Sequence, residues 1–344
     1  MPLSWSYSEV VWRSKALSAV TTVVVMALAA IAPLGCATPG SAEFSFALIG
    51  DAPYGTEAIR LFPSLVGDID ADPDVVFVAH VGDVRGGDTL CTDAVLRQTF
   101  DLFQAFDDAF WFTPGDNEWT DCHRSGGFLP TERLAFVRAL FFPNPLQTTG
   151  GAPVTVATQA QSAFPAQQPY VENTLFQREC VTFGAVHVVG SSDGAEPWAQ
   201  YPGDVALGLA PGDQPTLRLA ESEARRAAAI AWIGRIFDQA TLDGSEAVFI
   251  MMQAEPFADA NYGDVRAELV LRATAFGGPV LLGHGDSHTF QFTPGYAGVA
   301  NLTRVEVPGE NAAIDRWLKV TVACRQGSPT VFTVDTKTFT PEAP

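Results

Sequence analysis

Basic residues are scarce in this chain. Lys and Arg together number 20 against 39 Asp and Glu, and the formal net charge is −19 over 344 residues. Contacts to nucleic-acid phosphates need clustered Lys and Arg, and no such cluster occurs, so a nucleic-acid-binding surface is excluded. Charge of either sign is sparse, at 17% of residues against 47% hydrophobic, which excludes a disordered chain and fits a packed globular protein. Internal repeats and low-complexity tracts are absent. At this length the remaining choice is one large α/β domain or two modest ones.

The N-terminus stands apart. Arg13 and Lys15 precede an apolar stretch, ALSAVTTVVVMALAAIAPLG, which is followed by Cys36. Basic residues, an apolar run and then small residues are the order of a secretory signal, assigned to residues 1–35. A membrane-spanning anchor is disfavoured by Pro33, by the small residues after it and by the lack of a following basic anchor. The stretch LGCA (34–37) is similar to the lipobox of bacterial lipoproteins, in which the Cys is lipidated, although Pro33 departs from it. Cleavage after Ala42 is the other option. Both readings place the chain outside the cytoplasm, as a periplasmic, envelope or secreted protein.

Cysteine is also rare, and the count suits export. Without Cys36 four remain, and an oxidising compartment allows two disulfides. Cys91 and Cys122 each follow a candidate site motif and are paired on that ground. Cys180 and Cys324 are left as a second bridge or as two buried thiols.

Beyond residue 42, apolar strands alternate with amphipathic helical segments. Strands are expected at 44–49, 74–81, 109–114, 170–176, 181–190, 246–253, 279–283, 299–307, 316–323 and 330–335. Helices are expected at roughly 59–69, at 92–106, at 216–239 and at 264–276. Residues 142–169, rich in Pro, Gln, Thr and Gly, read as a long surface loop. The first half is therefore β-α-β-α-β, and parallel units of that kind collect strand ends on one edge, where open sheets place their sites.

Those strand ends carry carboxylates. Asp51 stands in IGDAPYG, Asp83 in VGDVRGG, Asp116 in PGDNEW and Asp286 in HGDSH, while a fifth strand ends in Gln253. A lone strand-terminal Gly-Asp is an ordinary turn or helix cap. Three in consecutive βα units, followed by a strand end with Asp286 and His288, form a different pattern. Clustered carboxylates repel one another unless a cation neutralises them, so the cluster points to bound metal. A histidine nitrogen among the ligands suits Fe, Mn or Zn better than an all-oxygen cage would. His80 and His187 lie inside strands and read as satisfied core imidazoles. Asp193 reads as a turn residue whose strand end approaches the site.

In this order and strand context the motifs resemble those of the calcineurin-like metallophosphoesterase superfamily, in particular its purple acid phosphatase-like branch. The resemblance covers roughly residues 44–335. The family's D-x-H, G-D, G-N-H-(D/E), lone His and G-H-x-H blocks fall on GDAP (50–53), GD (82–83), GDNE (115–118), Gln253 and GDSH (285–288). The resemblance implies an α/β (α+β) fold, two mixed β-sheets sandwiched between helices, as a single domain over residues 43–340. It implies two metal ions, drawn from Mn, Fe, Zn or Mg. Asp51, Asp83 and His288 would hold the first, and Asp83, Asp116, Gln253 and Asp286 the second.

Several ligand identities depart from the family pattern. Pro53 stands where the family has the His of D-x-H, and Tyr54 beside it is a candidate to fill the gap. Asp116, Gln253 and Asp286 replace Asn, His and His, exchanging nitrogen for oxygen and favouring harder ions or a single-metal site. Asn117 occupies the place of the family's catalytic His, and an amide donates a hydrogen bond but no proton at neutral pH. His123 is the candidate to replace that function, with Arg124 available to hold an anionic oxygen and Glu118 behind the ligands. His284, ahead of the glycine, falls behind Asp286 and His288.

The expected function is that of an exported phosphoesterase hydrolysing a small-molecule phosphoester with metal-activated water. The alternative is an envelope binding protein that kept the fold and lost turnover. Any membrane contact would come through a lipid on Cys36. The substrate, its mono- or diester character and the oligomeric state have no readable motif.

Overall fold

Strand-forming runs rich in Phe, Val and aromatic residues, each closed by a Gly or Pro turn, set the layout. The structure is a computed structural model that describes residues 42–324 and 331–342, all within one compact unit, Pro39–Pro344. The signal-like segment and Cys36 lie outside the described residues.

The chain begins with β1 (Ala42–Ile49), helix Gly55–Asp70, β2 (Val75–His80), helix Asp93–Phe103 and β3 (Ala109–Phe112). Helix Pro130–Phe141 and two-residue strands β4 (Thr149–Gly150) and β5 (Ala157–Thr158) lead to β6 (Thr174–Arg178) and β7 (Val181–Ala185). Helix Pro215–Asp243, β8 (Ala247–Met251), helix Gly263–Phe276 and β9 (Val280–His284) follow. The chain closes with β10 (Gln291–Pro294), β11 (Leu302–Glu306), β12 (Arg316–Cys324) and β13 (Val331–Thr338).

Two mixed sheets result, six strands in the order β13-β12-β1-β2-β3-β4 and seven in the order β10-β11-β9-β8-β7-β6-β5. In the first, β1, β2 and β3 are parallel, while β12 returns antiparallel to β1 with Ala42 opposite Cys324. In the second, β7, β8, β9 and β11 are parallel. The inner faces meet in a core of aromatic rings, Phe46, Phe77, Trp111, Phe183 and Phe249 with Leu281 and Leu318. Phe46 stacks on Phe77 at 4.9 Å and meets Phe249 edge-on at 4.9 Å, arrangements that add to burial itself.

The outer faces are covered by helices. Phe62, Leu65 and Ile69 of the first helix and Leu96 and Phe103 of the second pack on the first sheet. Ala229, Trp232, Ile233 and Ile236 of the long helix and Leu269 of the next pack on the second. The architecture is therefore helix, sheet, sheet, helix, the two mixed sheets between helices that the motifs imply. Among the described residues no helix is long and apolar enough to cross a membrane.

Several elements differ from the sequence reading. The short strands β4, β5 and β10 were not expected, and β4 and β5 lie in the stretch 142–169 read as a loop. Helix Pro130–Phe141 was not expected, because its buried face holds Arg133 among Leu134, Val137 and Phe141 and so breaks the apolar stripe. That guanidinium lies over the Phe128 and Phe136 rings and bonds the Cys91 carbonyl and Asp93. The strand expected to run to residue 190 ends at Ala185, and residues 190–194 form a tight turn. Ser191, Ser192 and Asp193 in that turn have φ of 51°, 56° and 57°, a left-handed run that non-glycine residues rarely adopt.

Both disulfides join the residues paired above, Cys91–Cys122 and Cys180–Cys324. Bridges of this kind persist in oxidising surroundings.

Candidate metal centre

Parallel strands bring their C-terminal ends to one edge, and here both sheets contribute to it. Asp51 follows β1, Asp83 follows β2, Asp116 follows β3, Gln253 follows β8, and Asp286 and His288 follow β9. The loops interlock through the backbone. Asp51 N–H donates to the Gly82 carbonyl at 3.0 Å, and Gly285 N–H to the Gln253 carbonyl at 3.0 Å. Asp286 N–H reaches the Asp51 carboxylate at 3.2 Å.

Four of the candidate ligands sit in left-handed backbone: Asp51 at φ 50°, Asp83 at 60°, Asp286 at 82° and His288 at 60°. Such strain persists where the surroundings over-determine it. Here it turns each side chain inward at its strand end. Glycines leave the room. A Cβ on Gly190 would lie 2.3 Å from Asp286 Oδ1 and 2.6 Å from Asp116 Oδ2.

Among the described residues, two groups of acidic and imidazole side chains have ligand atoms within 4.8 Å of one another: Asp51, Asp83 and His288, and Asp83, Asp116 and Asp286. Asp83 belongs to both. In the first group His288 Nε2 faces Asp51 Oδ1 at 3.4 Å, while its Nδ1 is held by Glu310 at 3.2 Å. A carboxylate on the second ring nitrogen is the usual way an imidazole is aimed at a metal. Two carboxylates and an aimed imidazole fit a divalent ion of the Mn, Fe or Zn type.

The second group does not fit as the motifs imply. Gln253 is buried, and its Oε1 accepts from Gly190 N–H at 2.5 Å. That bond turns the amide Nε2, not the oxygen, toward the carboxylates. Nε2 lies 2.8 Å from Asp286 Oδ1, 3.1 Å from Asp83 Oδ2 and 3.4 Å from Asp116 Oδ1. An amide nitrogen carries hydrogens and offers no lone pair to a cation. Gln253, which the motifs imply as a metal ligand, is in this orientation a hydrogen-bond donor to the group.

The electrostatics of the cluster are those of crowded, dry acids. Burial, reinforced by Asp116, Glu118 and the other carboxylates, raises Asp83 well above the usual carboxylate range. Burial and neighbouring Asp121 push Asp116 up to about 7. Glu118, also raised to about 7 by burial, accepts from Gly115 N–H at 2.5 Å and Val84 N–H at 3.4 Å, tying the second and third loops together. His288 is raised as well, chiefly by its bond to Asp51 and against the lowering that burial gives an imidazole.

Asn117 lies at the cluster, where its Nδ2 donates to Asp83 Oδ2 at 3.1 Å and to the Tyr54 hydroxyl at 3.1 Å. Tyr54 OH is 3.5 Å from Asp51 Oδ1. The structure does not bring His123 to the site. It is 3% exposed and absent from the cleft wall, because the turn Thr120–His123 folds its side chain inward. Arg124, the next residue, is on the wall, bonded to Asp121, Ser191 and Glu196.

The remaining histidines are structural. His80 Nε2 bonds the Ala52 carbonyl and its Nδ1 accepts from Gly82 N–H, which ties the loops after β1 and β2. His284 donates from Nδ1 to the Gly285 carbonyl and accepts at Nε2 from Arg304. His187 bonds Glu172 at 2.7 Å. Asp193 is buried against Arg225 and Arg226. Ser191 escaped the sequence reading: its hydroxyl is 2.8 Å from both Asp116 Oδ2 and Asp121 Oδ1. Only its place in a turn after a strand, beside Asp193, hinted at this.

Asp83, Asp116, Asp286 and His288 line a cleft of about 720 Å³, with Asp51 and Gln253 buried behind them. Its walls include Tyr54, the segment Gly86–Thr89, Asn117, Asp121, Arg124, His288 and Glu310. Arg124 is the one guanidinium on these walls among the described residues.

No family model and no curated protein sequence matches the chain. Among solved structures it is similar to GAP50, the anchor in the inner membrane complex of Plasmodium, at 10% identity with a TM-score of 0.46, over 87% of this chain and 89% of that one. It is also similar to calcineurin-like phosphoesterase YfkN from Bacillus subtilis, at 10% identity and 0.43, over 86% of this chain and 91% of that one. A further likeness is to Haemophilus influenzae NAD nucleotidase (NadN), at 13% identity and 0.42, over 87% of this chain and 56% of that one.

Proposed function

We propose that the chain is an exported, metal-dependent phosphoesterase that hydrolyses a small-molecule phosphoester in the cleft above Asp83. The observation that carries the reading is the Asp51, Asp83 and His288 group, whose Asp83 and His288 line the cleft and whose imidazole is aimed by Glu310. A bound divalent ion there would lower the pKa of a water and offset charge on the phosphoryl oxygens.

The chain's own residues divide the rest of the work. Asp51, Asp83 and His288 hold the ion. Arg124, kept at the cleft wall by Asp121 and Glu196, receives an anionic phosphoryl oxygen. Asn117 orients Asp83 and Tyr54 by its two hydrogen bonds. No imidazole other than His288 lines the cleft among the described residues, so the leaving group takes its proton from solvent. Export is supported by the two disulfides and by the signal-like N-terminal sequence, with a lipid on Cys36 as its anchored form.

The test is metal content together with hydrolysis of p-nitrophenyl phosphate, its bis-ester and an alkyl phosphate, with Mn, Fe or Zn added. The expected result is bound metal and turnover of the aryl esters well above the alkyl ester. Asp83→Ala should lose metal and lower kcat/KM by more than about 100-fold, since even residues behind the ligands are worth 10–100-fold. If Asp83→Ala left metal and turnover unchanged, the assignment would fail. A second reading, a binding protein without turnover, draws support from Asn117 and Gln253 standing in the histidine positions. Tight metal with no hydrolysis of any ester would favour it.

A further inference from the structure

Gln253 is the one neutral side chain that touches every member of the second acidic group. Its amide nitrogen reaches a carboxylate oxygen of Asp83, Asp116 and Asp286 within 3.4 Å. It therefore stands where a cation shared by those three would stand. Turning the amide over is opposed on both sides, because the nitrogen would face the Gly190 N–H and the oxygen would face three carboxylates. The first group has no such plug. Asn117 bonds Asp83 alone of its three members, and the bonds of Asp51 come from Asp286 N–H, His288 and Tyr54.

We infer that the site takes one divalent cation, at Asp51, Asp83 and His288, and that the Gln253 amide replaces a second at Asp83, Asp116 and Asp286. The inference rests on the metal-dependent reading above. Two partially positive amide hydrogens offset carboxylate charge that a second ion would otherwise neutralise. Arg124 then carries the share of phosphoryl charge that a second ion would have taken.

The experiment counts ions. Full-length protein stripped with a chelator is titrated with Mn²⁺, and bound metal per chain is read by calorimetry and elemental analysis. Wild type should bind one ion, Asp116→Asn should still bind one, and Asp51→Asn should bind none. Gln253→His and Gln253→Glu, which remove the amide hydrogens and supply a ligand atom, should each bind two, with folding checked by near-UV circular dichroism. Two ions in wild type would overturn the inference and leave the phosphoesterase reading standing. So would a folded Gln253→Glu variant that stays at one ion, or loss of the wild-type ion in Asp116→Asn. No ion in any form would overturn the metal-dependent reading itself, and the inference with it.

Discussion

Asp116 shows how one residue meets two opposed demands. It is buried beside Asp83 and Asp121, where its proton affinity rises to about 7, yet it must stand ready beside a cation site. A carboxyl whose folded pKa lies above its unfolded value gives its stabilisation in full at low pH and loses it as pH rises through the folded value. Asp116→Asn, isosteric and uncharged, is therefore expected to stabilise the chelated protein by ~1–2 kcal/mol at pH 7.5 and by less than about half of that at pH 5. Denaturant titrations in chelator at the two pH values would show it, and equal gains at both would contradict it. At this scale Asp51, Asp83, Asp116, Asp286 and His288 were legible because a Gly-Asp or Asp-x-His at a strand end is visible locally. The Gln253 orientation was not. It is dictated by a backbone N–H at Gly190, 63 residues away in sequence. The inward turn of His123 was also hidden, since burial within the turn Thr120–His123 leaves no local pattern.

Among elements, the loops after β2 and β3 depend on each other. Cys91–Cys122 joins the end of the Gly86–Thr89 segment to the turn Thr120–His123, and both flank the cleft. Cys180–Cys324 lies where β7 begins and β12 ends, away from the ligand loops. The two bridges span 31 and 144 residues. Closing the longer loop constrains the unfolded chain more, about 5 against about 4 kcal/mol. Removing Cys180 and Cys324 as serines should thus cost more stability, and removing Cys91 and Cys122 more metal affinity. Parallel denaturation and metal titrations would test the split, and a reversed order would refute it. The βα units were readable from periodicity because each helix buries one apolar stripe. Helix Pro130–Phe141 was not, since Arg133 replaces an apolar residue on its packed face.

For the molecule as a whole, acids and imidazoles pull stability in opposite directions with pH. Burial holds His80 and His187 down to about 4 and His284 to about 3, so all three are neutral in the folded protein. Their contribution is complete above the unfolded value of about 6.5 and is lost as pH falls toward 4. Buried Asp116 and Glu118 act the other way, their contribution falling as pH rises toward 7. With Asp83 and Asp286 raised as well, the acids outnumber these imidazoles. The chelated protein should therefore lose stability as pH rises from about 5 to 7, and bound metal, by cancelling the acid term, should offset that loss up to pH 8. Thermal melts across pH 4–9 with and without Mn²⁺ would check this, and a gap that did not widen with pH would count against it. The sandwich of sheets was implied only by the resemblance of the motifs, while the parallel units were readable from the alternation of strands and helices. The return of β12 to β1 was not, because the Ala42–Cys324 pairing joins opposite ends of the chain and leaves no local pattern.

The Ser191 hydroxyl carries a further consequence. It has one hydrogen and two carboxylate neighbours, Asp116 and Asp121, each 2.8 Å away. With both acids ionised, one oxygen–oxygen contact would lack a hydrogen, so the empty pair keeps an extra proton between them. A cation held nearby by Asp51, Asp83 and His288 favours the ionised acids, so its capture at neutral pH releases part of that proton, and part of the heat belongs to whatever buffer receives it.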